Sequence, residues 1–368
     1  MTEPRAFGPH DLPLRENLRG KHPYGAPQLP VRIALNVNEN THPIPEAVAR
    51  DIVESLAAAV LTVNRYPDRE FTELRESLAN YLGHGLTPDN IWAANGSNEV
   101  LQQIFQAFGG PGRSVLSFTP TYSMYPIIAA GVDTEWIAVP RADDFTVSAE
   151  TVTAAIAQHT PNIVVLCSPN NPTGTPLPIE TIEAAYDALS APGQGGILIV
   201  DEAYAEFTPD HVPSAISLLP GRERLIVSRT MSKAFAFAGA RVGYLAADPA
   251  VTDALRLVRL PYHLSAFTQA AANAALRHAP EMLAMVDDIR LQRDRLLAEL
   301  PKLGYPVSAS WANFVLFGGV ADPHATFEAL LGHDVIIRDV GIANHLRVSV
   351  GTKHETTAFL AALDAVGR

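Results

Sequence analysis

Cysteine is the scarcest residue type in this sequence, which holds a single one, Cys167, among 368 residues. A chain with one cysteine forms no internal disulfide, so the small disulfide-stabilised secreted domains are excluded. Long apolar runs are lacking too. No stretch approaches the roughly 18 consecutive apolar residues of a membrane helix, and no apolar stretch follows the first charges as it would in a secretory signal. We therefore expect a cytoplasmic protein without a membrane partner.

Positive charge is also sparse. The sequence has 27 Lys and Arg residues against 39 Asp and Glu residues, a formal net charge of −12, and no basic run. Such a chain repels nucleic acid, so no nucleic-acid partner is expected. The 12 histidines lack the spacing of metal ligands, and the motifs C-x-x-C, H-E-x-x-H, G-x-S-x-G and the glycine-rich nucleotide-binding loops are missing. These absences argue against a metal site, a serine hydrolase and a nucleotide-binding enzyme.

What remains is the composition of an ordinary globular protein, with 47% hydrophobic and 18% charged residues. The length suffices for two packed domains. The first 30 residues are rich in Pro, Gly and charge, which is typical of an arm rather than of a packed element. We predict an N-terminal arm over residues 1–40, a large domain over 41–255 and a small C-terminal domain over 256–368.

Short runs rich in β-branched residues alternate with helical stretches through the middle of the chain. Because these runs are continuously apolar, we expect strands that are covered on both faces, as in a parallel sheet. The clearest strands cover 114–118, 163–167, 197–200 and 225–228, with a crossover helix at 179–189 and earlier helices at 45–63, 70–82 and 98–108. In the last third we predict helices at 266–278, 281–300 and from 355, and strands at 314–317, 335–337 and 346–350. This pattern predicts an α/β fold, with a mostly parallel sheet flanked by helices and a smaller α+β domain.

Polar residues follow three of the predicted strands at the point where each strand ends. Asn171 follows 163–167, Asp201 and Tyr204 follow 197–200, and Lys233 follows 225–228. In an open parallel sheet, ligands bind at the carboxyl edge of the strands. The sequence therefore brings an amide, a carboxylate, a phenol and a lysine to one edge of the sheet.

This set of side chains is what pyridoxal 5'-phosphate chemistry requires. A lysine, Lys233, binds the cofactor covalently through its amine. A buried carboxylate, Asp201, keeps the ring nitrogen protonated so that the ring accepts electrons from the substrate. Tyr204 and Asn171 lie where they tune the bond between lysine and cofactor.

The cofactor phosphate needs a binding site of its own. Ser97 and Asn98 begin the predicted third helix, where free backbone N–H groups and the helix dipole favour an anion. Thr230, Ser232 and Arg241 add hydroxyl and guanidinium donors, and Tyr122 is a candidate to stack on the ring. Each piece has an ordinary explanation by itself, such as a solvated lysine, a turn, a helix cap or a core tyrosine. Their joint order along the strands favours the cofactor site.

At these residues the chain resembles the fold-type I aminotransferases, and specifically the histidinol-phosphate aminotransferase family. The similarity runs from about residue 12 to the last helix. The segments that carry it are LNVNEN (35–40), RYPD (65–68), NGSNE (95–99), PTYSMY (120–125), SPNNPTG (168–174), VDEAYAEF (200–207), RTMSKAFAFAGARVGY (229–244), RLPYHL (259–264) and IRDVG (337–341). The arm segment HPYG (22–25) and the segments around Arg338 and Arg347 point to the histidinol-phosphate branch. One departure is Thr41, where the family usually has proline.

The resemblance implies transfer of an amino group between L-histidinol phosphate and 2-oxoglutarate, which yields L-glutamate, in histidine biosynthesis. It also implies a homodimer in which the arm joins the interface and the active sites lie between subunits. Tyr66 would reach the neighbouring subunit's cofactor phosphate, and Tyr24 would approach the neighbour's substrate. Arg338 and Arg347 would hold the substrate phosphate or the glutamate carboxylate.

Three other interpretations stay open at this point. An aromatic-amino-acid aminotransferase shares the cofactor residues and differs mainly around the second arginine, and a phosphate-decarboxylating relative is more distant. A catalytically silent pyridoxal-phosphate-binding regulator usually carries a DNA-binding module, for which this chain has neither spare length nor a basic helix-turn-helix pattern. His263 lies either near the substrate path or in packing, and Cys167 is interpreted as a small core residue.

Overall fold

The computed structural model of the chain describes residues 7–8, 11–21 and 23–367. His22 of the arm segment HPYG lies outside the described residues. Within these ranges, no helix combines the length and the apolar character needed to cross a bilayer.

The described residues form strands and helices in alternation along most of the chain. The strands are β1 Ile33–Ala34, β2 Ile91–Ala94, β3 Ser114–Thr119, β4 Glu135–Pro140, β5 Ile163–Cys167, β6 Ile197–Asp201, β7 Leu225–Thr230, β8 Gly243–Ala247, β9 Phe314–Phe317, β10 Val335–Ile336 and β11 Leu346–Ser349. The α-helices are α1 Glu46–Val60, α2 Thr72–Leu82, α3 Ser97–Phe108, α4 Met124–Gly131, α5 Ala149–His159, α6 Ile179–Ser190, α7 Pro249–Arg256, α8 Ala266–Arg277, α9 Ala279–Glu299, α10 Pro323–Gly332 and α11 Lys353–Val366.

The central sheet has seven strands in the order β2-β8-β7-β6-β5-β3-β4. Strands β4, β3, β5, β6 and β7 pair in parallel, whereas β8 is antiparallel to both of its neighbours. The prediction of a mostly parallel α/β sheet is therefore confirmed. The sequence pattern missed β2, β4 and β8 for physical reasons. The sequences of β2 and β8, IWAA and GYLAA, are rich in small residues, and β4 is a partly exposed edge strand.

Both faces of the sheet are covered, as the continuous apolar runs predicted. Along β5, Ile163 and Val165 belong to one hydrophobic cluster, whereas Val164 and Leu166 belong to the other. Successive side chains of a strand point to opposite faces, so this alternation places one core on each side of the sheet.

The C-terminal third mixes helices with two short sheets. β9 and β11 pair antiparallel, and β1 from the N-terminal segment pairs in parallel with β10. Helix α11 begins two residues earlier than predicted because Thr352 and Glu355 form a capping box at its start. Helix α1 ends at Val60 rather than 63, where the chain turns.

The register of the sheet aligns the carboxyl ends of its central strands. Cys167 of β5 lies beside Asp201 of β6, and Asp201 lies beside Ser228 of β7. The residues that follow these three strands therefore share one edge.

Candidate active site

A cavity opens at the carboxyl edge of the central strands. It contains every predicted site residue except Tyr66. These are Tyr24, Ser97, Asn98, Tyr122, Asn171, Asp201, Tyr204, Thr230, Ser232, Lys233, Arg241, Arg338 and Arg347.

Lys233 extends into the cavity from the loop after β7. Its Nζ donates a hydrogen bond to the backbone oxygen of Val37 at 3.2 Å. The pKa of Lys233 is lowered to about 8, mainly by burial and also by the nearby charges of Arg347 and Arg241, while Glu39 acts in the opposite direction. About a tenth of Lys233 is therefore neutral at pH 7, far more than for a lysine with its usual pKa, and the neutral amine is the nucleophile.

Asp201, at the end of β6, is 2% exposed. Its Oδ2 accepts a hydrogen bond from the Tyr125 hydroxyl at 2.7 Å, and its Oδ1 is buried with no hydrogen-bond partner in the described part of the chain. Burial raises the pKa of Asp201 to about 6, although the Tyr125 hydrogen bond lowers it. A buried acceptor without a partner costs free energy, which a protonated ring nitrogen at Oδ1 would recover.

Tyr204 and Asn171 form one hydrogen-bonded group with Arg347. Asn171 Nδ2 donates to the Tyr204 hydroxyl at 3.3 Å, and Arg347 Nη1 donates to Asn171 Oδ1 at 2.6 Å. Burial lowers the pKa of Arg347 to about 10, and burial raises the pKa of Tyr204. Both groups are buried beside the cavity, so they are held in place before any ligand binds.

The start of helix α3 forms one wall of the cavity. Gly96 precedes the helix with a φ of 89°, and the backbone N–H groups of Ser97 and Asn98 have no hydrogen-bond partner among the residues described. A Cβ on Gly96 would clash with the Arg241 guanidinium, and a Cβ on Gly243 would clash with the Ser97 amide nitrogen. Two glycines therefore allow a helix N-terminus and an arginine to meet, which suits a phosphate.

Hydroxyl groups from three elements complete this wall. The Thr230 hydroxyl donates its proton to the Val242 oxygen at 3.1 Å, and its oxygen lies 3.0 Å from Ser232 Oγ. The Tyr122 hydroxyl donates to Asn98 Oδ1 at 3.1 Å. The Tyr122 ring is therefore fixed at the cavity wall, where a flat ligand would contact it.

Three arginines bring positive charge to the cavity, which Glu39 and Asp201 also line. Arg241, Arg338 and Arg347 line it, and none of them forms an ion pair with a described carboxylate. Arg338 and Arg347 exchange two backbone hydrogen bonds of 2.9 Å, so their side chains start from adjacent positions. Unpaired guanidinium groups around one cavity favour anionic ligands.

The two tyrosines that the family resemblance assigned to a neighbouring subunit lie in different places. Tyr24 lines the cavity of its own chain, with the Arg338 guanidinium 5.9 Å from its ring centroid. The expectation that Tyr24 approaches a neighbouring subunit's substrate stays a prediction. Tyr66 is 79% exposed and stacks on Tyr262 with ring centroids 4.4 Å apart, away from the cavity.

Sequence reasoning missed two residues of the site. Tyr125 bonds Asp201, and Asn38 Nδ2 donates to the Tyr204 hydroxyl at 3.0 Å. Both lie in segments that carried the resemblance, PTYSMY and LNVNEN, but their side chains received no role. His263 packs on Trp92 with ring centroids 5.7 Å apart, in keeping with the packing interpretation. Cys167 is a buried core residue.

Comparisons with known proteins extend over nearly the whole chain. A family model described as aminotransferase class I and II matches residues 31–363. A histidinol-phosphate aminotransferase of Paenarthrobacter aurescens (strain TC1) is 64% identical over 355 residues, which cover 96% of this chain and 95% of that protein. One of Thermobifida fusca (strain YX) is 56% identical over 363 residues, 98% of each chain.

Solved structures share the fold. The histidinol-phosphate aminotransferase of Sinorhizobium meliloti, solved in complex with pyridoxal-5'-phosphate, has a TM-score of 0.80 and 27% identity over 91% of each chain. An aspartate aminotransferase of Thermus thermophilus, solved with maleate, has a TM-score of 0.79 and 26% identity over 91% of this chain and 92% of that one.

Proposed function

Because this chain belongs to the class I and II aminotransferase family, we propose that it transfers an amino group between L-histidinol phosphate and 2-oxoglutarate in L-histidine biosynthesis. It has the fold-type I aminotransferase fold of its structural neighbours. The observation that carries the proposal is the meeting in one cavity of Lys233, Asp201 and three arginines that form no ion pair with a described carboxylate.

Pyridoxal 5'-phosphate is the cofactor, and the residues of the cavity fit it. The buried Oδ1 of Asp201 lacks a hydrogen-bond partner among the described residues, and the start of helix α3 offers free N–H groups beside Arg241. When bound, this cofactor supplies an aldehyde that an amine attacks and a ring that withdraws electrons from the substrate Cα.

The chain's own residues divide the remaining work. Lys233 would hold the cofactor through Nζ, and its amine would act as the base that takes the proton from the substrate Cα and delivers it to the cofactor carbon that carries the aldehyde. Asp201 Oδ1 holds the proton on the ring nitrogen. Tyr204 and Asn171 would hold the ring oxygen, and Tyr122 would stack on the ring and exclude water from that face.

Anion binding would divide between two groups of cavity residues. Ser97, Asn98, Thr230, Ser232 and Arg241 would hold the cofactor phosphate. Arg338 and Arg347 would hold the phosphate of histidinol phosphate or a carboxylate of 2-oxoglutarate and L-glutamate. A hydrogen bond between charged groups contributes about 1.5–3 kcal/mol.

We also propose that the protein is a homodimer in which Tyr66 reaches the partner's cofactor phosphate. Exposed apolar side chains support this proposal, since Leu61, Leu257 and Leu260 are 83%, 87% and 75% exposed and lie close in the sequence to Tyr66 or to Tyr262, on which Tyr66 stacks. Co-expression of Lys233→Ala with Tyr66→Ala tests it. Because a mixed dimer rebuilds one complete site, about a quarter of wild-type activity is expected from two inactive variants. Activity no greater than that of either variant alone contradicts it.

Two further points belong to the same proposal. The chain divides into an arm (1–40), a large domain (41–255) and a small domain (256–368). This division is supported by the seven-stranded sheet, all of whose strands lie within residues 91–247. A cytoplasmic location agrees with a single, buried thiol at Cys167.

A coupled assay of the purified holoenzyme with histidinol phosphate and 2-oxoglutarate tests the substrate assignment. The expected result is a kcat/KM for histidinol phosphate well above that for phenylalanine, because phenylalanine has no phosphate for the arginines to bind. A preference for phenylalanine would identify an aromatic-amino-acid aminotransferase instead. Arg338→Gln is expected to reduce kcat/KM for histidinol phosphate about tenfold or more, as loss of a charged hydrogen bond requires.

A further inference from the structure

We propose that Asn38 is a positioning residue that, together with Ser349, turns the hydroxyl proton of Tyr204 toward the ring oxygen of the cofactor. This inference rests on the proposed function, because it concerns the same cavity. Asn38 belongs to the segment LNVNEN, for which the sequence had suggested no chemical role.

Asn38 is held in an unusual backbone conformation in the interior. It is 1% exposed, and its φ of 56° places it in the left-handed region, which Asn adopts more readily than most residues. Its backbone N–H donates to Ser349 Oγ at 2.8 Å, and its backbone oxygen accepts from Asn313 Nδ2 at 3.1 Å. The side chain therefore projects from a fixed point.

The orientation of the Asn38 side-chain amide follows from which hydrogen bonds Ser349 Oγ accepts and donates. Since Ser349 Oγ already accepts the Asn38 N–H, its own proton is available for donation, and it donates to Asn38 Oδ1 at 3.2 Å. With the oxygen facing Ser349, the Asn38 amide nitrogen faces Tyr204, to whose hydroxyl it donates at 3.0 Å.

The second amide at Tyr204 is oriented by an independent contact. Arg347 is a donor only, so the Asn171 atom 2.6 Å from its Nη1 is the amide oxygen. The Asn171 nitrogen then faces Tyr204 and donates to its hydroxyl at 3.3 Å.

The side-chain amides of Asn38 and Asn171 therefore both donate hydrogen bonds to the hydroxyl oxygen of Tyr204. A phenol oxygen accepts two hydrogen bonds and donates one. No acceptor for its proton is found among the described residues, and Tyr204 lines the cavity. The proton is left for a ligand, and an anionic ring oxygen is the acceptor that the proposed cofactor provides. Such a bond stabilises negative charge on that oxygen, which makes the lysine-bound cofactor less basic.

A spectroscopic titration of the holoenzyme tests the inference without relying on turnover. The variant Asn38→Asp retains the shape and the tolerance for positive φ but replaces the donor with an acceptor, toward which Tyr204 would turn its proton. We expect the midpoint of the absorbance titration of the lysine-bound cofactor to rise by about one pH unit, a tenfold change, and we expect a rise in the same direction for Tyr204→Phe.

A double-mutant cycle separates the route through Tyr204 from the added charge. If Asn38 acts through Tyr204, Asn38→Asp shifts the midpoint less than half as far in the Tyr204→Phe background as in the wild type. An equal shift in both backgrounds, or no shift in either, overturns the inference.

The same titration distinguishes this inference from the proposed function. Asn273→Ala is the control for loss of a buried amide, because Asn273 is 5% exposed and does not line the cavity. Its midpoint should equal that of the wild type, and a shift as large as that of Asn38→Asp also overturns the inference. If wild-type protein shows no absorbance of lysine-bound cofactor, the proposed function itself fails.

Discussion

The hydroxyl of Tyr125 donates a hydrogen bond of 2.7 Å to Oδ2 of Asp201, and both side chains are buried in the described structure. This contact fixes the carboxylate so that its other oxygen, Oδ1, is the one left for a ligand. The ring of Tyr125 also meets the ring of Tyr122 edge to face, with centroids 5.5 Å apart. One residue therefore supports both the carboxylate and the proposed stacking ring.

Tyr125→Phe is expected to lower kcat about tenfold, because a hydrogen bond to a charged group contributes about 1.5–3 kcal/mol. Without it, the carboxylate holds its own proton more strongly and stabilises the ring-nitrogen proton less. Tyr305→Phe is the matched control, since it removes a hydrogen bond of 2.7 Å to the Gly367 oxygen, and Tyr305 does not line the cavity. Steady-state kinetics check the pair. An unchanged kcat in Tyr125→Phe, or an equal loss in both variants, would contradict the role given to Tyr125.

The rate of cofactor incorporation into apoprotein should rise with pH up to about 8 and then level off. The reason is the pKa of Lys233, which burial lowers to about 8 from its usual value of 10.5. Only the neutral amine attacks the aldehyde, so the rate follows deprotonation. Stopped-flow absorbance between pH 6 and 10.5 measures it. A rate that keeps rising up to pH 10 would show an unperturbed lysine.

Gly243→Ala should weaken cofactor binding at least tenfold. Its Cβ would collide with the backbone of Gly96 and Ser97, which forms the proposed phosphate site, and backbone moves less readily than a side-chain tip. Gly332→Ala serves as control, because a Cβ there meets no described atom within 4 Å. Equilibrium titration of apoprotein with pyridoxal phosphate gives both dissociation constants. Equal dissociation constants for the two variants would mean that the close contact between Gly243 of β8 and the start of α3 does not shape the phosphate site.

The sequence predicted the strands that carry the strongest signal and the residues at their ends. β5, β6 and β7 are continuously apolar and buried, so their pattern identifies both the strands and the edge where Asp201 and Lys233 meet. β8 could not be found in this way, since its sequence GYLAA lacks β-branched residues and its place depends on pairing with β7 and β2.

The contacts among site residues also lay beyond the sequence. Asn38 reaches Tyr204 across 166 positions of the chain, and Tyr125 reaches Asp201 across 76. Such pairs depend on tertiary packing, which no local spacing records. The location of Tyr24 in its own chain's cavity likewise depends on the β1–β10 pairing rather than on the arm's composition.

Reduction of the holoenzyme with borohydride, followed by peptide mapping, tests the central claim most directly. The chain has only four lysines, namely Lys21, Lys233, Lys302 and Lys353, so the peptide map has to distinguish only four lysine side chains that could carry the reduced cofactor. The account predicts the reduced cofactor on Lys233 alone, and none on any lysine of Lys233→Ala. Stoichiometric label on Lys302 or Lys353, or no label on Lys233, would contradict it.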